Sequence, residues 1–208
     1  MQKKLIIFIP SIEGGGVEKN LFIISNYLKN KINNISVITT SNKFKNRFTG
    51  KINFISPKAT FWNSIGRRKK FIVGLFLLFR EILKDRNTLV FSFQGNVYCT
   101  LLCKLLGIKI IVRSNSAPDG WSQNKFKYLV FKYVLKSADK VIVNSLDFKK
   151  KFKTKFKIHS ECIYNPLNKN EIKKKSKIKT KIKFDKKKLN LINIGRYSDQ
   201  KDQLTLLK

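Results

Sequence analysis

The chain has 208 residues, enough for one ordinary domain or one and a half, but not for two full domains. Its 45 lysines and arginines against 12 acidic residues give a net charge of +33, and 42% hydrophobic residues exclude a wholly disordered chain. No apolar run approaches the roughly 20 residues that cross a bilayer. Three cysteines without a signal peptide indicate a cytoplasmic protein.

The positive charge comes mainly from lysine. Sequence-specific nucleic-acid-binding proteins favour arginine for bidentate contacts, and only seven of the 45 basic residues are arginine. The abundance of Lys, Asn, Ile and Phe, residues of A/T-rich codons, favours a compositional origin for much of the charge. We still expect non-specific attraction to polyanions or to an anionic bilayer.

Short apolar runs alternate with helical patterns along the chain. Strands are predicted over 4–9, 35–40, 52–55, 88–93, 108–112, 140–144, 161–164 and 189–194. Helices are predicted over 17–28, 69–83, 97–106, 125–135 and 203–208. The run 108–112 shows almost no polar alternation, as expected when helices cover both faces of a sheet. The alternation predicts an α/β fold with a Rossmann-like, doubly wound parallel sheet.

Composition divides the chain into three parts. Residues 1–165 carry the alternating pattern and are predicted to form the first domain. Residues 166–188 have no apolar face, and eleven lysines between 169 and 188 predict a solvated linker or an exposed helix. Residues 189–208 are predicted to start a second α/β domain that is not completed.

Three loops are expected at the carboxyl edge of the first sheet, where ligands of such sheets bind. They cover 14–16, 93–96 and 113–118. In the first, Gly14, Gly15 and Gly16 let backbone N–H groups approach a ligand at a helix N-terminus, although the same residues also suit a plain tight turn. Their spacing matches neither a P-loop nor the dinucleotide fingerprint, which argues against an ATPase or a NAD enzyme.

Basic side chains follow two other predicted strands. Arg113 is placed to hold a phosphate bidentately at the mouth of the crevice, with Asn115 beside it; an ordinary surface loop is the alternative. After the strand 189–194 come Gly195 and Arg196, and Lys201 stands five residues later at a helix entrance. A planar cation and a point cation near a helix N-terminus suit a pyrophosphate leaving group, although the loop taken alone is more simply an exposed basic loop of a basic protein.

Three segments together resemble glycosyltransferase family 4, whose members are retaining enzymes with the two-domain GT-B fold. They are IIFIPSIEGGGVEKNLFIISNYL at the N-terminus, ADKVIVNSLDFKKKF leading to IYNP, and INIGRYSDQKDQLTLLK at the C-terminus. The last is the most specific, and Asn165-Pro166 matches the family's crossing into the second domain. The resemblance covers nearly the whole chain in order and spacing.

The resemblance implies roles for individual residues. The implied contacts to the donor diphosphate fall on Gly15, Gly16, Gly195, Arg196 and Lys201. The acceptor-side loops would include Gly14 and Asn96. Many family members have a histidine where this chain has Arg113 and Asn115, so these two become the candidates for a catalytic role, and no catalytic carboxylate is assigned.

The resemblance also implies an activity. The full-length enzyme would move a sugar with retention from a nucleotide-diphosphate sugar to a glycan or to a polyprenyl- or other lipid-linked acceptor. No cofactor and no metal is expected, because cationic side chains would replace a divalent ion at the diphosphate. The family's acidic motif would lie beyond Lys208, so we expect these 208 residues to be a fragment, or one half of a split enzyme, and poorly active alone.

Other interpretations stay open. The basic start of the helix 69–83 fits contact with the inner face of a membrane, whereas its apolar length fits a packed core helix, which we favour. Cys99 and Cys103 are expected in the core, and His159 on the surface. The competing class of protein is a basic α/β domain that binds nucleic acid or membrane without catalysis.

Overall fold

The computed structural model describes residues 3–48, 50–116, 124–178, 187, 189–195 and 202–207. Within these ranges the first 167 residues contain one sheet of seven parallel strands in the order β3-β2-β1-β4-β5-β6-β7. The strands are β1 (Lys4–Phe8), β2 (Ile35–Ile38), β3 (Ile52–Ile55), β4 (Thr88–Ser92), β5 (Lys109–Ser114), β6 (Lys140–Val143) and β7 (Glu161–Cys162). The predicted Rossmann-like, doubly wound parallel sheet is therefore confirmed.

Helices connect most of the strands. They are α1 (Gly16–Leu28), α2 (Arg67–Lys84), α3 (Asn96–Leu105), α4 (Lys125–Lys136), α5 (Leu146–Lys151), α6 (Lys169–Ser176) and α7 (Gln203–Leu206). Each predicted helix appears within two residues of its predicted start. Gly107 ends α3 with φ at +70°, and the N–H groups of Gly107 and Ile108 donate to the carbonyls of Lys104 and Cys103, which is a Schellman motif.

The core has two layers, one on each face of the sheet. Along β1, Ile6 and Phe8 pack with α2, α3 and α4, whereas Leu5 and Ile7 pack with α1. Successive side chains of a strand belong to alternate layers, because neighbouring residues of a strand point to opposite faces of the sheet. Burial on both faces explains why the strands show so little polar alternation in the sequence.

The expectations for three further side chains are confirmed. Cys99 and Cys103 are fully buried in the layer that contains α3, and burial raises the pKa of the Cys99 thiol well above its ordinary value. His159 is exposed. These residues belong to the packing and the surface of the fold.

One helix was not predicted from the sequence. After β6 the chain forms α5, which continues into a π-helical turn at Phe152–Phe156. Phe148, Phe152 and Phe156 follow one another at intervals of four residues, and the last two are fully buried against the sheet. That spacing is the helical signal, but the lysines between the aromatic residues obscure it.

The chain divides into two units, Met1–Leu167 and Asn168–Lys208. In the second unit, α6 has no buried residue, which fits the exposed helix that the lysine run allowed. The predicted buried strand over 189–194 is wrong: these residues are irregular, and their apolar side chains are exposed. Among the described residues of this unit no strand pairs with them, and a strand forms only where a neighbour completes its hydrogen bonds.

Candidate functional site

A cleft of about 390 Å³ opens at the carboxyl edge of the sheet. The strand order reverses between β1 and β4, and ligands of open α/β sheets bind at such a point. The loops after β4 and β5 supply most of the lining. The lining residues are Val17, Arg67, Phe93, Gln94, Gly95, Asn96, Val97, Tyr98, Arg113, Ser114, Asn115, Ser116, Phe131 and Leu135. Two of the three loops expected there line the cleft, whereas Gly14, Gly15 and Gly16 are not among the lining residues; the nearest lining residue along the chain is Val17 in α1.

The glycine turn between β1 and α1 is shaped around a carboxylate. Gly14 has φ at +85°, and Gly15 is the N-cap of α1. The side chain of Glu18 folds back, so that a Cβ on Gly15 would lie 2.9 Å from Oε2 of Glu18. A side chain at position 15 would therefore push the Glu18 carboxylate away from its present place.

Glu18 links the glycine turn to the cleft. Nε2 of Gln94 donates a hydrogen bond of 3.3 Å to Oε1 of Glu18, and Gln94 lines the cleft. Glu18 is buried, although it lies in the first turn of a helix on the protein surface. Glu18 was not predicted as a site residue, whereas Gln94 lies in the loop 93–96 that was expected at the crevice. The sequence signal for Glu18 is its spacing, because a glutamate three residues after an N-cap commonly turns back toward the helix start.

Asn96 joins the ends of two strands. Its Nδ2 donates to the carbonyl of Arg113 over 2.9 Å, and its Oδ1 accepts from Oγ of Ser92 over 2.8 Å. Asn96 is also the first residue of α3 and lines the cleft. The predicted acceptor-side residue is therefore in the cleft, where it holds the loop after β4 against the end of β5.

Gly95 shapes the same loop. Its φ is +68°, and a Cβ there would meet the ring of Phe71 at 2.7 Å. The absence of a side chain lets the first turns of α2 lie directly against the loop. This contact explains how Arg67, the first residue of α2, reaches the cleft.

Among the described residues Arg113 is the largest fully buried side chain, at 1% exposure. Its Nη2 donates to the carbonyl of Ile163 and to Oδ1 of Asn165, both over 3.0 Å, so β5 is tied to the segment that leaves the sheet after β7. Nε has no acceptor among the described residues. Burial lowers the pKa of Arg113 from its ordinary value, but a guanidinium stays charged at neutral pH.

The cleft therefore contains a buried positive charge that no carboxylate neutralises within the described part of the chain. Such a charge attracts an anion, because leaving it uncompensated is costly. Nη2 of Arg113 already donates to two protein oxygens. The expected bidentate grip on a phosphate stays a prediction. Asn115 is half-buried beside it and donates from Nδ2 to the carbonyl of Phe93 over 3.3 Å.

Of the residues predicted to contact the donor diphosphate, Gly15 and Gly16 lie in the first unit, whereas Gly195, Arg196 and Lys201 belong to the second unit. Gly195 is exposed. Arg196 and Lys201 lie outside the described residues. Among the residues that are described, no three His, Cys, Asp or Glu side chains come together in a way that could hold a metal ion, and no helix is long and apolar enough to span a membrane.

Fold and cleft together define a Rossmann-like α/β domain with a cleft at the reversal of its strand order. Neither models of protein families nor curated protein sequences give a match to the chain. Solved structures do match, and they are glycosyltransferases with the GT-B fold.

Three of these structures illustrate the likeness. HepE from Anabaena, in complex with UDP and glucose, is 14% identical with a TM-score of 0.56; the match covers 81% of this chain and 46% of HepE. A UDP-glucosyltransferase from Polygonum tinctorium capable of glucosylating indoxyl is 13% identical with a TM-score of 0.56, over 87% of this chain and 56% of that one. Apo UGT2 from Phytolacca americana is 11% identical with a TM-score of 0.52, over 84% and 54%.

The chain thus spans about half the length of the solved structures that it matches. At this level of identity the likeness establishes the fold. The resemblance to family 4 in particular stays a prediction.

Proposed function

We propose that the chain is the acceptor-side half of a retaining glycosyltransferase of family 4, together with the start of its donor-binding domain. The observation that supports this proposal most directly is the cleft at the reversal of the strand order. The fold that forms this cleft is shared with glycosyltransferases, one of them solved with UDP and glucose. The substrate would be a nucleotide-diphosphate sugar, and the acceptor a glycan or a lipid-linked molecule. Cytoplasmic location, with contact to the inner face of the membrane, is part of the proposal.

In this proposal the protein supplies orientation and positive charge. Arg113 would stabilise negative charge that develops in the cleft, and Asn115 would orient the acceptor beside it. The leaving diphosphate itself would assist removal of the acceptor proton, so no carboxylate base is assigned. Gly15, Gly16, Gly195, Arg196 and Lys201 would bind the diphosphate without a metal.

Nucleotide binding tests the proposal directly. We expect the 208-residue chain to bind UDP or GDP weakly, in an Arg196- and Lys201-dependent way. Replacing either cation with glutamine should weaken binding about tenfold, the usual size of a lost charge-assisted hydrogen bond. The matched control is Lys174→Gln on the exposed helix α6, which should leave binding unchanged.

A coupled nucleotide-release assay completes the test. We expect little turnover from these 208 residues, and robust turnover would contradict the expectation that the chain is poorly active alone. Absence of any binding that depends on Arg196 or Lys201 would overturn the proposed donor site.

The net charge of +33 favours a second candidate, a non-catalytic domain that binds nucleic acid or membrane. That protein would bind DNA of any sequence with a steep dependence on salt and would show no affinity for nucleotide sugars. Binding of DNA and binding of UDP, measured on the same preparation over a range of salt concentrations, separate the two candidates.

A further inference from the structure

The helices on the two faces of the sheet differ in what they expose to solvent. α1, whose residues are all described, covers one face and exposes one large apolar side chain, Tyr27. α3 and α4 lie on the other face, where they pack against each other. Six of their large apolar side chains are 39–76% exposed and lie outside the lining of the cleft: Leu101 and Leu105 on α3, and Phe126, Leu129, Val130 and Tyr133 on α4. We call these six residues the α3–α4 face.

The exposed side chains of α4 lie on the side of the helix that points away from the sheet. They are spaced three or four residues apart from Phe126 to Tyr133, which places them on one side of a helix. Leu135 is buried in the core on the opposite side. A helix on the surface of a soluble domain usually has polar residues on its outer side, and a contiguous apolar patch there marks an interaction surface.

The charges beside this stripe are all positive. Every charged residue of α4 is a lysine, and α3 contains no acidic residue. Lys125, Lys132 and Lys136 follow one flank of the stripe at intervals of seven and four residues. Within the described residues none of these three lysines forms an ion pair. The α3–α4 face is therefore apolar and bordered by positive charge that the domain itself does not neutralise.

The order of residues along α4 is the order found in paired helices. With Phe126 at position a of a heptad, Leu129 falls at d and Tyr133 at the next a, and Lys125 and Lys132 occupy successive g positions. In such pairs the a and d residues pack against the partner helix, and the g residues contact its charged side chains. Packed helices lie about 8–10 Å apart, so a helix that rests on α4 also reaches its neighbour α3.

An apolar stripe with a row of lysines along its flank is complementary to a helix with apolar residues at the same spacing and carboxylates beside them. We propose that the α3–α4 face docks an acidic amphipathic helix of another protein. A second copy of this chain does not fit, because its α4 would bring lysines against lysines. With a net charge of +33, the chain has no acidic amphipathic segment of its own to cover the face. The inference does not depend on the proposed function of the cleft.

Peptides of defined pattern test the inference. The probe is a labelled peptide of about three heptads with leucine at a and d and glutamate at e and g. One control peptide has lysine in place of every glutamate, and another has the same composition in scrambled order. Fluorescence anisotropy with the 208-residue chain at physiological salt should show that the acidic heptad peptide binds at least tenfold more tightly than either control.

Two pairs of matched variants locate the binding surface. Tyr133→Gln should weaken binding of the acidic peptide at least tenfold, whereas Tyr27→Gln should change it less than twofold; the two tyrosines are 66% and 62% exposed but lie on opposite faces of the sheet. Lys132→Glu should likewise weaken binding at least tenfold, and Lys19→Glu, on the exposed side of α1, less than twofold. Both lysine variants change the net charge equally, so general attraction to a basic protein affects them alike. Circular dichroism verifies that each variant is folded.

The other outcomes overturn the inference. Equal affinity for the acidic and the scrambled peptide would mean attraction to net charge alone, and equal losses in the two tyrosine or the two lysine variants would remove the α3–α4 face as the site. A face that serves a bilayer would bind vesicles of phosphatidylcholine and phosphatidylglycerol in a Tyr133-dependent way and would not distinguish the peptides. The assay contains no nucleotide, so failure here leaves the UDP experiment, and with it the proposed function, unaffected.

Discussion

Two segments with similar apolar sequences adopt different structures in this molecule. Residues 4–8, KLIIF, form the strand β1, whereas residues 189–194, LNLINI, form no strand. The leucine, isoleucine and phenylalanine side chains of β1 are 0–6% exposed. Those of the second segment are 69–94% exposed.

Neighbours explain the difference. β1 pairs with β2 on one side and with β4 on the other, and helices cover both of its faces. Complete burial of one such side chain contributes about 1.5–3 kcal/mol. For the segment 189–194 the described residues provide neither a paired strand nor a covering layer. An apolar run therefore predicts a strand only if the rest of its sheet is also accounted for.

The largest effect is expected from a matched pair of substitutions that shorten one isoleucine in each segment. Ile7→Ala removes a fully buried side chain from β1 and should lower the free energy of unfolding by about 2–5 kcal/mol, because the lost contacts leave a cavity. Ile192→Ala removes an exposed side chain and should change it by less than about 0.5 kcal/mol. Urea denaturation followed by circular dichroism measures both.

A loss at Ile192 as large as that at Ile7 would show that the second segment is packed in solution. If Ile7→Ala does not fold, Ile7→Val provides the same contrast with a loss of about 0.5–1.5 kcal/mol. The comparison with Ile192→Val then remains a measurement of two folded proteins.

Most of the first unit could be predicted because its patterns are local. The apolar residues Val17, Leu21, Ile24 and Leu28, spaced by four, three and four, encode α1 locally, as do the β-branched run of β2 and the glycine after α3 for their elements. The carboxyl-edge position of the loops then follows from the parallel sheet. The prediction of a strand over 189–194 was wrong because a strand forms only beside other strands, and a local sequence pattern contains no information about them.

Side-chain contacts at the site were less predictable. Arg113 was expected at the crevice, but its anchoring to the carbonyl of Ile163 joins residues 50 apart in the chain. The place of Arg67 in the cleft depends on the packing of α2 against Gly95, which only the folded backbone reveals. Spacing along the sequence indicates loops, whereas the contacts between loops require the tertiary structure.

A second test measures how much the contact between α2 and the loop after β4 contributes to the stability of the first unit. Gly95→Ala places a Cβ 2.7 Å from the Phe71 ring at a φ of +68°, and should destabilise the fold by about 2–3 kcal/mol through strain and displaced packing. Gly107→Ala has a similar φ of +70° but open space, so it should cost only about 1 kcal/mol. Thermal unfolding measures both. Equal losses would mean that backbone strain alone decides, and that the contact between α2 and the loop contributes nothing.

The smallest expected effect concerns ion pairs and their dependence on pH. Burial would raise the pKa of Glu81, but hydrogen bonds from Lys84 and Lys4 outweigh it and hold the pKa below its ordinary value of 4.5. The ionised carboxylate therefore stabilises the fold above pH 4.5, and this contribution is lost as the pH falls through the lower, folded-state pKa. Glu81→Gln should cost on the order of 1 kcal/mol at pH 7 and less at acid pH.

The second unit provides the control for that measurement. Glu171 pairs with Lys175 over 2.6 Å on α6, with the lysine side chain largely exposed, so Glu171→Gln should have almost no effect at any pH. Urea denaturation of both variants and the unmodified chain between pH 3 and pH 7 gives the difference directly, because all other carboxylates cancel. If the free energy lost in Glu81→Gln does not depend on pH, the side chain acts through packing rather than through its charge. If Glu171→Gln loses a similar free energy, the buried and the exposed ion pair do not differ in their contribution to stability.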